Sequence, residues 1–224
     1  MRLEAVMRSE INITRERLKT PRAAAIAGII FAVLLIISLL LVRISVPFEP
    51  VEAVDWLEGH WKTVDFGLNL LPFAGIAFLW FIGVVRDRLG DQEDRFFSTV
   101  FLGSGLLFLA MLFASAAVAG GTISMYGSAP RLLVESGIYS FGRIVTYEIM
   151  NVYTLKMAGV FMISTCTLAL RTGIFPRWMT YLGYVLALFL LLSLGYWDWA
   201  SLAFPCWVLL ISVHILLVNV RHVD

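Results

Sequence analysis

The chain has 224 residues, of which 60% are hydrophobic and 15% are charged, and its mean hydropathy is +0.86. Soluble domains are about half apolar and about a quarter charged, so this composition excludes an ordinary soluble domain and predicts an integral membrane protein. The formal net charge is only +1, and the charges cluster at the ends of apolar runs, which excludes the basic surface that nucleic acid requires.

The N-terminal segment 1–22 is basic, and Leu3, Met7, Ile11 and Leu18 recur at helical spacing among its arginines. This pattern predicts a cytoplasmic amphipathic helix on the anionic inner leaflet, and a charged tail is the open alternative. The segment is too polar for the core of a signal peptide, so the first apolar run is expected to remain as a membrane anchor.

Six apolar windows follow, each near the ~20 residues that cross a ~30 Å hydrocarbon layer. They cover about 23–46, 66–86, 96–119, 147–170, 178–195 and 199–219. The predicted fold is therefore all-α, a polytopic membrane bundle of six transmembrane helices that forms one domain over 23–221. Twelve Lys and Arg residues fall on the side of the two termini and four on the other, so the positive-inside rule predicts that both termini are cytoplasmic.

Two longer segments face outward in this topology. Between the first two spans, Val54, Leu57 and Trp61 lie at helical spacing among acidic residues, which predicts a short helix along the outer interface. In the segment 120–146, glycine and serine interrupt an otherwise amphipathic run. A loop, a short surface helix and an extra turn of the fourth helix all stay open for that segment.

The sequence predicts a layer of polar residues and prolines at one depth, near the outer ends of the second, fourth and sixth spans. Asp65, Glu148 and Asp198 mark those ends, and the residues seven or eight positions later are Pro72, Lys156 and Pro205. At 1.5 Å per residue, these three lie about 11–12 Å below the boundary. Both prolines are expected to kink their helices, and each disturbs a backbone carbonyl that something nearby must satisfy.

The first hypothesis for the site is an outward-opening pocket with Lys156 at its floor. Its walls would carry Glu148, Asn151, Asp65 and Asn69, and the lysine would supply positive charge to an anionic group. The alternative is that Lys156 snorkels towards the headgroups, because helical side chains lean towards the helix N-terminus, which is the outer end here.

No motif in the chain assigns catalysis. The two cysteines have no CxxC spacing, and there is no HExxH, no glycine-rich phosphate loop and no pair of histidines within the spans. We therefore predict no catalytic residue, no metal and no cofactor, and the sequence leaves enzymatic activity undecided.

Two stretches carry a family resemblance. "NLLPFAGIAFLWFIGVVRDRLGDQEDRFFSTVFLGSGLLF" at 69–108 and "RTGIFPRWMTYLGYVLAL" at 171–188 resemble uncharacterised polytopic membrane proteins of bacteria, particularly of the actinobacterial type. The resemblance implies a multi-pass protein of the bacterial cytoplasmic (inner) membrane, and it implies no substrate.

Two functions are expected from these observations. The first is binding or transport of a small polar solute, an ion or a lipid headgroup through the outward-facing pocket. The alternative is a non-catalytic membrane subunit or scaffold, for which the charged turn Arg86–Arg95 would contact a membrane or cytoplasmic protein. The expected partners are thus the lipid bilayer, a small polar or anionic ligand, and possible protein partners.

Overall fold

The structure, a computed structural model, describes residues 22–42, 50–89, 95–128, 132–133, 136–173, 176–193 and 199–221. The described part confirms the predicted all-α fold. Its helices are α1 (Arg22–Val42), α2 (Pro50–Leu89), α3 (Arg95–Ser128), α4 (Ile138–Thr172), α5 (Arg177–Leu192) and α6 (Ala200–Arg221). Five of these six contain a stretch long and apolar enough to cross a membrane, and α5, with 16 residues, is shorter.

Three helices extend beyond their predicted spans. The prediction of a separate interface helix is wrong, because α2 begins at Pro50 and continues through the predicted segment to Leu89 without a break. Of the segment 120–146, α3 takes the part up to Ser128, and α4 takes the part from Ile138. The basic segment 1–21, most of the charged turn between Arg86 and Arg95, and Asp198 lie outside the described residues.

The ends of α4 and the start of α5 follow local backbone chemistry. Gly137 precedes α4 with φ of 73° and Gly173 follows it with φ of 68°, in the left-handed region that favours glycine. The N–H of Gly173 donates to the carbonyl of Ala169 at 2.9 Å, which satisfies one of the last helical carbonyls. Pro176 then sits at the N-cap of α5. A glycine at the end of α4 and a proline at the start of α5 thus mark the boundary between the two helices.

Large apolar side chains cover the outside of the bundle. On α1, Ile26, Ile30, Val33 and Ile37 recur at helical spacing and are all exposed, and on α2 the side chain of Trp80 is 67% exposed. A soluble protein rarely leaves a contiguous apolar surface of this kind in water. The surface therefore suits hydrocarbon, in agreement with a membrane-embedded protein.

The centre of the bundle is a layer of buried phenylalanine rings. Five helices each contribute a fully buried ring: Phe31 from α1, Phe78 from α2, Phe108 from α3, Phe161 from α4 and Phe204 from α6. The ring centroid of Phe78 lies 4.5 Å from that of Phe31, 5.3 Å from that of Phe108 and 5.2 Å from that of Phe161. These distances fall in the range of favourable aromatic pairs. The rings form one contiguous cluster between these five helices.

Helix α5 packs antiparallel against α4. Near the middle of α5, the hydroxyl groups of Tyr184 and Thr167 are 2.8 Å apart. Near its end, Leu191 lies against Gly159, which is eight residues earlier on α4 than Thr167. The absence of a side chain at Gly159 permits this close approach of the two helices.

The two prolines lie within continuous helices. Pro72 is exposed on α2, and Pro205 is buried on α6. Both helices continue through the proline, so the kinks predicted there stay a prediction.

Candidate functional site: a cavity at one end of the bundle

A cavity of about 360 Å³ opens at one end of the bundle. It lies where α1 and α3 approach their C-terminal ends and where α2, α4 and α6 begin. The described residues that line it are Leu39, Leu40, Val42, Val64, Ala119, Thr122, Ile123, Tyr139, Gly142, Arg143, Thr146, Tyr147, Met150, Asn151, Trp199, Ser201 and Leu202. Its volume is within the ~300–1,000 Å³ range of small-molecule sites.

Close contact between α3 and α4 forms one wall of the cavity. A side-chain carbon at Gly142 would collide with the hydroxyl of Thr122 on α3, so only glycine fits at this crossing. One helical turn further, the hydroxyl of Ser115 donates to the backbone carbonyl of Thr146 at 3.1 Å. These two contacts hold the first part of α4 against α3, and they place Arg143 at the cavity.

The same wall contains a turn that is wider than an α-helix. Residues Ile149–Thr154 form a π-helical segment, and the hydroxyl of Thr154 donates to the carbonyl of Ile149, five residues earlier, at 2.8 Å. Such wide turns inside α-helices occur frequently at functional sites. The segment carries Met150 and Asn151, which both line the cavity.

The polar groups of the cavity come mainly from α4. The amide of Asn151 donates to the carbonyl of Tyr147 at 3.2 Å, which leaves its side-chain oxygen available as an acceptor. The hydroxyl of Thr146 is buried and has no hydrogen-bond partner among the described residues. A buried hydroxyl without a partner costs free energy, and a polar ligand atom beside it would remove that cost.

Of the five residues predicted to bind a ligand, the described cavity contains Asn151 alone. Asn69 and Asp65 contact each other instead, because the amide of Asn69 donates to the backbone carbonyl of Asp65 at 2.9 Å and to its carboxylate at 3.2 Å. Glu148 is exposed on α4 and is not among the described residues that line the cavity. The structure therefore does not bring the five residues together.

Lys156 occupies a third position that neither sequence hypothesis describes. Its ammonium group donates hydrogen bonds to the backbone carbonyls of Leu190, at 3.1 Å, and of Ser193. These carbonyls belong to the C-terminal end of α5, where the last four carbonyls of a helix have no partner within the helix. A cation is also favourable at this negative end of the helix dipole. A ligand-binding role for Lys156 stays a prediction.

Sequence reasoning missed Arg143 and Thr146, although a pattern pointed to them. Tyr139, Arg143, Thr146 and Met150 recur at intervals of three and four residues, which places them on one face of a helix. That pattern becomes visible only if α4 is extended back to Ile138.

Metal-binding and thiol chemistry find no support in the part of the chain that the structure describes. It contains no group of three or more His, Cys, Asp or Glu residues arranged to hold a metal ion. Cys166 is buried in the core, and Cys206 is exposed on the outside of α6.

Comparison with protein-family models, with curated proteins and with solved structures found no match for the chain. The resemblance to bacterial membrane proteins of unknown function therefore stays a prediction.

Proposed function

We propose that the chain crosses the membrane six times, with the cavity on the outer side and both termini in the cytoplasm. The contacts of α5 with α4 support this proposal, because Lys156 contacts the C-terminal end of α5 while Thr167 contacts Tyr184 at its middle. The 16 residues of α5 rise only about 24 Å, but through these contacts α5 lies alongside α4, which is long enough to cross the membrane. The excess of Lys and Arg on the side of the termini supports the orientation.

Fluorescent-protein fusions at the two termini test this topology. With a fluorescent protein that folds only in the cytoplasm, we expect both the N-terminal and the C-terminal fusion to fluoresce. Fluorescence from one fusion and not from the other would mean an odd number of crossings and would refute the six-span topology. Two dark fusions would refute the orientation.

Within this topology, the function that the geometry supports best is binding of a small polar or amphipathic ligand in the outward-facing cavity. The observation that carries it is the convergence of Arg143, Thr146 and Asn151 on a cavity whose other walls are largely apolar. A cavity with apolar walls and a few converging polar groups is the usual form of a small-molecule site.

The phenylalanine layer favours binding over passage through the bundle in this conformation. Phe161 follows Asn151 by ten residues on α4, so its ring lies about 15 Å deeper than the cavity wall. The rings of Phe78 and Phe204 pack against it, the ring of Phe108 packs against both of these, and all of them are fully buried. A transported solute would need these rings to separate.

A cavity-filling variant tests ligand binding. Ala119 lines the cavity on α3, whereas Ala117, two residues earlier, is exposed. Native mass spectrometry of protein purified from its membranes should find bound non-protein mass on the wild type and on Ala117→Trp. Ala119→Trp should lose that mass while keeping its helix content. If Ala119→Trp retains the same bound mass as the wild type, the cavity is not the binding site.

A membrane subunit or scaffold is the second candidate function. It is favoured by the outer part of α4, where Ile138, Phe141 and Ile144 are 41%, 69% and 62% exposed at a spacing of three residues. Replacing Phe141 and Ile144 by serine should shift the protein to a smaller assembly on native gels of gently solubilised membranes. An unchanged mobility would count against this role.

A further inference from the structure

The apolar walls of the cavity come from three helices. The end of α1 supplies Leu39 and Leu40, α2 supplies Val64, and α3 supplies Ala119 and Ile123. A fully polar solute, such as a sugar, would lose hydrogen bonds to water on entering and would find apolar side chains in their place, which is unfavourable. The larger part of the ligand is therefore expected to be apolar.

The polar wall offers neutral groups with unused hydrogen-bonding capacity. The amide of Asn151 donates to the carbonyl of Tyr147, and its side-chain oxygen accepts no hydrogen bond among the described residues. The hydroxyl of Thr146 is buried and has no partner there either. A pure hydrocarbon would leave both groups without a partner. The ligand therefore needs a group that donates and a group that accepts, and a hydroxyl does both.

The charges of the described lining favour an uncharged head group. The described lining contains no Asp or Glu, so a cationic head group would find no counter-ion there. Arg143 lines the cavity, but it is engaged within the protein and interacts electrostatically with Tyr139, one helical turn earlier. An anion that moved from water between apolar walls would have to draw Arg143 away from its present contacts to offset the loss of hydration.

We infer that the ligand is an uncharged single-chain lipid with a glycerol head, of the monoacylglycerol type. This inference rests on the proposed binding function. Thr146 and Asn151 are five residues apart, about 7 Å along the helix axis, so two neighbouring hydroxyls of one glycerol head can serve both. One hydroxyl would donate to the side-chain oxygen of Asn151, and the other would accept from the hydroxyl of Thr146.

The size of the cavity agrees with a single chain that leaves it. At about 360 Å³, the cavity is near the lower limit of the ~300–1,000 Å³ range of small-molecule sites, so it holds a head group and the upper part of one chain. The rest of the chain can follow α1 towards the bilayer, because Ile37, three residues before the lining residue Leu40, is 41% exposed.

Titration with lipids that share one chain and differ in the head tests the inference. Detergent-purified protein is titrated with 1-oleoylglycerol, methyl oleate or 1-oleoylglycerol 3-phosphate, and the first bound lipid is counted by native mass spectrometry. The wild type should bind 1-oleoylglycerol about fivefold more tightly than methyl oleate or better, since each of two net hydrogen bonds corresponds to a factor of about two to ten. The phosphate form should bind no more tightly than 1-oleoylglycerol, and millimolar glycerol should not displace it.

Two variants remove the polar groups and keep the size of the side chains. Asn151→Leu and Thr146→Val should each lower the preference for 1-oleoylglycerol over methyl oleate by a factor of about two to ten, and the double variant should bind both lipids equally. Asn69→Leu is the matched control, because Asn69 contacts Asp65 and is not among the described lining residues. Its preference should equal that of the wild type. Gel filtration and helix content establish that each variant is folded.

The results that overturn the inference are distinct from those that overturn the proposed function. A folded double variant with the wild-type preference refutes the glycerol head, and so does a wild type that binds the phosphate form more tightly. Displacement of the lipid by millimolar glycerol refutes the role of the chain. If Ala119→Trp abolishes binding of 1-oleoylglycerol but the wild type binds methyl oleate equally well, ligand binding in the cavity stands and the glycerol head is wrong. If Ala119→Trp binds 1-oleoylglycerol like the wild type, the proposed function itself fails.

Discussion

Replacing Lys156 by methionine removes the ammonium group that joins α4 to the end of α5. In the structure this group donates to the carbonyls of Leu190 and Ser193, and the side chain is half-buried. Methionine has nearly the same length and preserves the packing of the stem, but it offers no donor. The substitution therefore isolates the loss of the two hydrogen bonds and of the charge.

The size of the effect follows from two opposing terms. Each carbonyl left without a partner away from water costs about 1–3 kcal/mol, so two of them cost about 2–6 kcal/mol. Against this, removing a lysine charge from a membrane span regains up to about 2.5–3.5 kcal/mol, and less where the group is half-exposed. The net expectation is a destabilisation of about 1–3 kcal/mol. For a chain of this length, the melting temperature should fall by roughly 3–10 °C.

Thermal unfolding in detergent and hydrogen exchange measure this effect. Exchange should rise at the last turn of α5, where the N–H of Ser193 donates to the carbonyl of Phe189 at 2.9 Å. Lys62→Met is the control, because Lys62 is exposed and contacts only the ring of Trp61, 5.7 Å away, among the described contacts. The control should change stability by less than about 1 kcal/mol. If Lys156→Met melts and exchanges like the wild type, the capping role of Lys156 is wrong.

Two further predictions concern the interior and use the same melting assay. Phe78→Ala, at the centre of the ring layer, should cost about 3–5 kcal/mol, whereas Phe73→Ala, 62% exposed on the same helix, should cost less than about 1 kcal/mol. Equal losses would show that the layer does not stabilise the bundle. Gly183→Ala should destabilise, because the new carbon would lie 2.7 Å from the buried indole nitrogen of Trp207, whereas Gly103→Ala meets nothing and should be neutral or stabilising. A neutral Gly183→Ala would contradict this packing.

The helical architecture could be predicted from the sequence because it depends on the length of apolar runs. Windows of about 20 apolar residues located the six helices in the part of the chain that the structure describes, and Gly173 and Pro176 mark the boundary between α4 and α5. These features are local, and each follows from composition or from backbone conformation.

The candidate site was harder to predict because it depends on where separate helices end relative to one another. The sequence shows that Lys156 lies within an apolar window, but it does not show the partners of Lys156. The carbonyl of Leu190 is within reach of the Lys156 ammonium group only because α5 ends partway along α4. Arg143 lies in the segment 120–146, for which the sequence leaves a loop, a short surface helix and an extra turn of the fourth helix open because glycine and serine interrupt the pattern. In the structure, Gly142 lies inside α4, and its lack of a side chain allows α4 to approach Thr122 on α3 closely.

The π-helical segment has a consequence for how α4 tolerates changes of length. In a π-helical segment, backbone hydrogen bonds reach the fifth preceding residue, so Ile149–Thr154 takes up one residue more than a regular α-helical turn. Deleting one residue there would let the helix close into a continuous α-helix while the parts before and after keep their orientation. The same deletion at 144–148, between Arg143 and the wide turn, would rotate Arg143 by about 100° relative to Lys156 and separate one of them from its neighbours. Between Arg143 and Lys156, the wide turn is thus the stretch of α4 that can lose a residue while both cations keep their orientation.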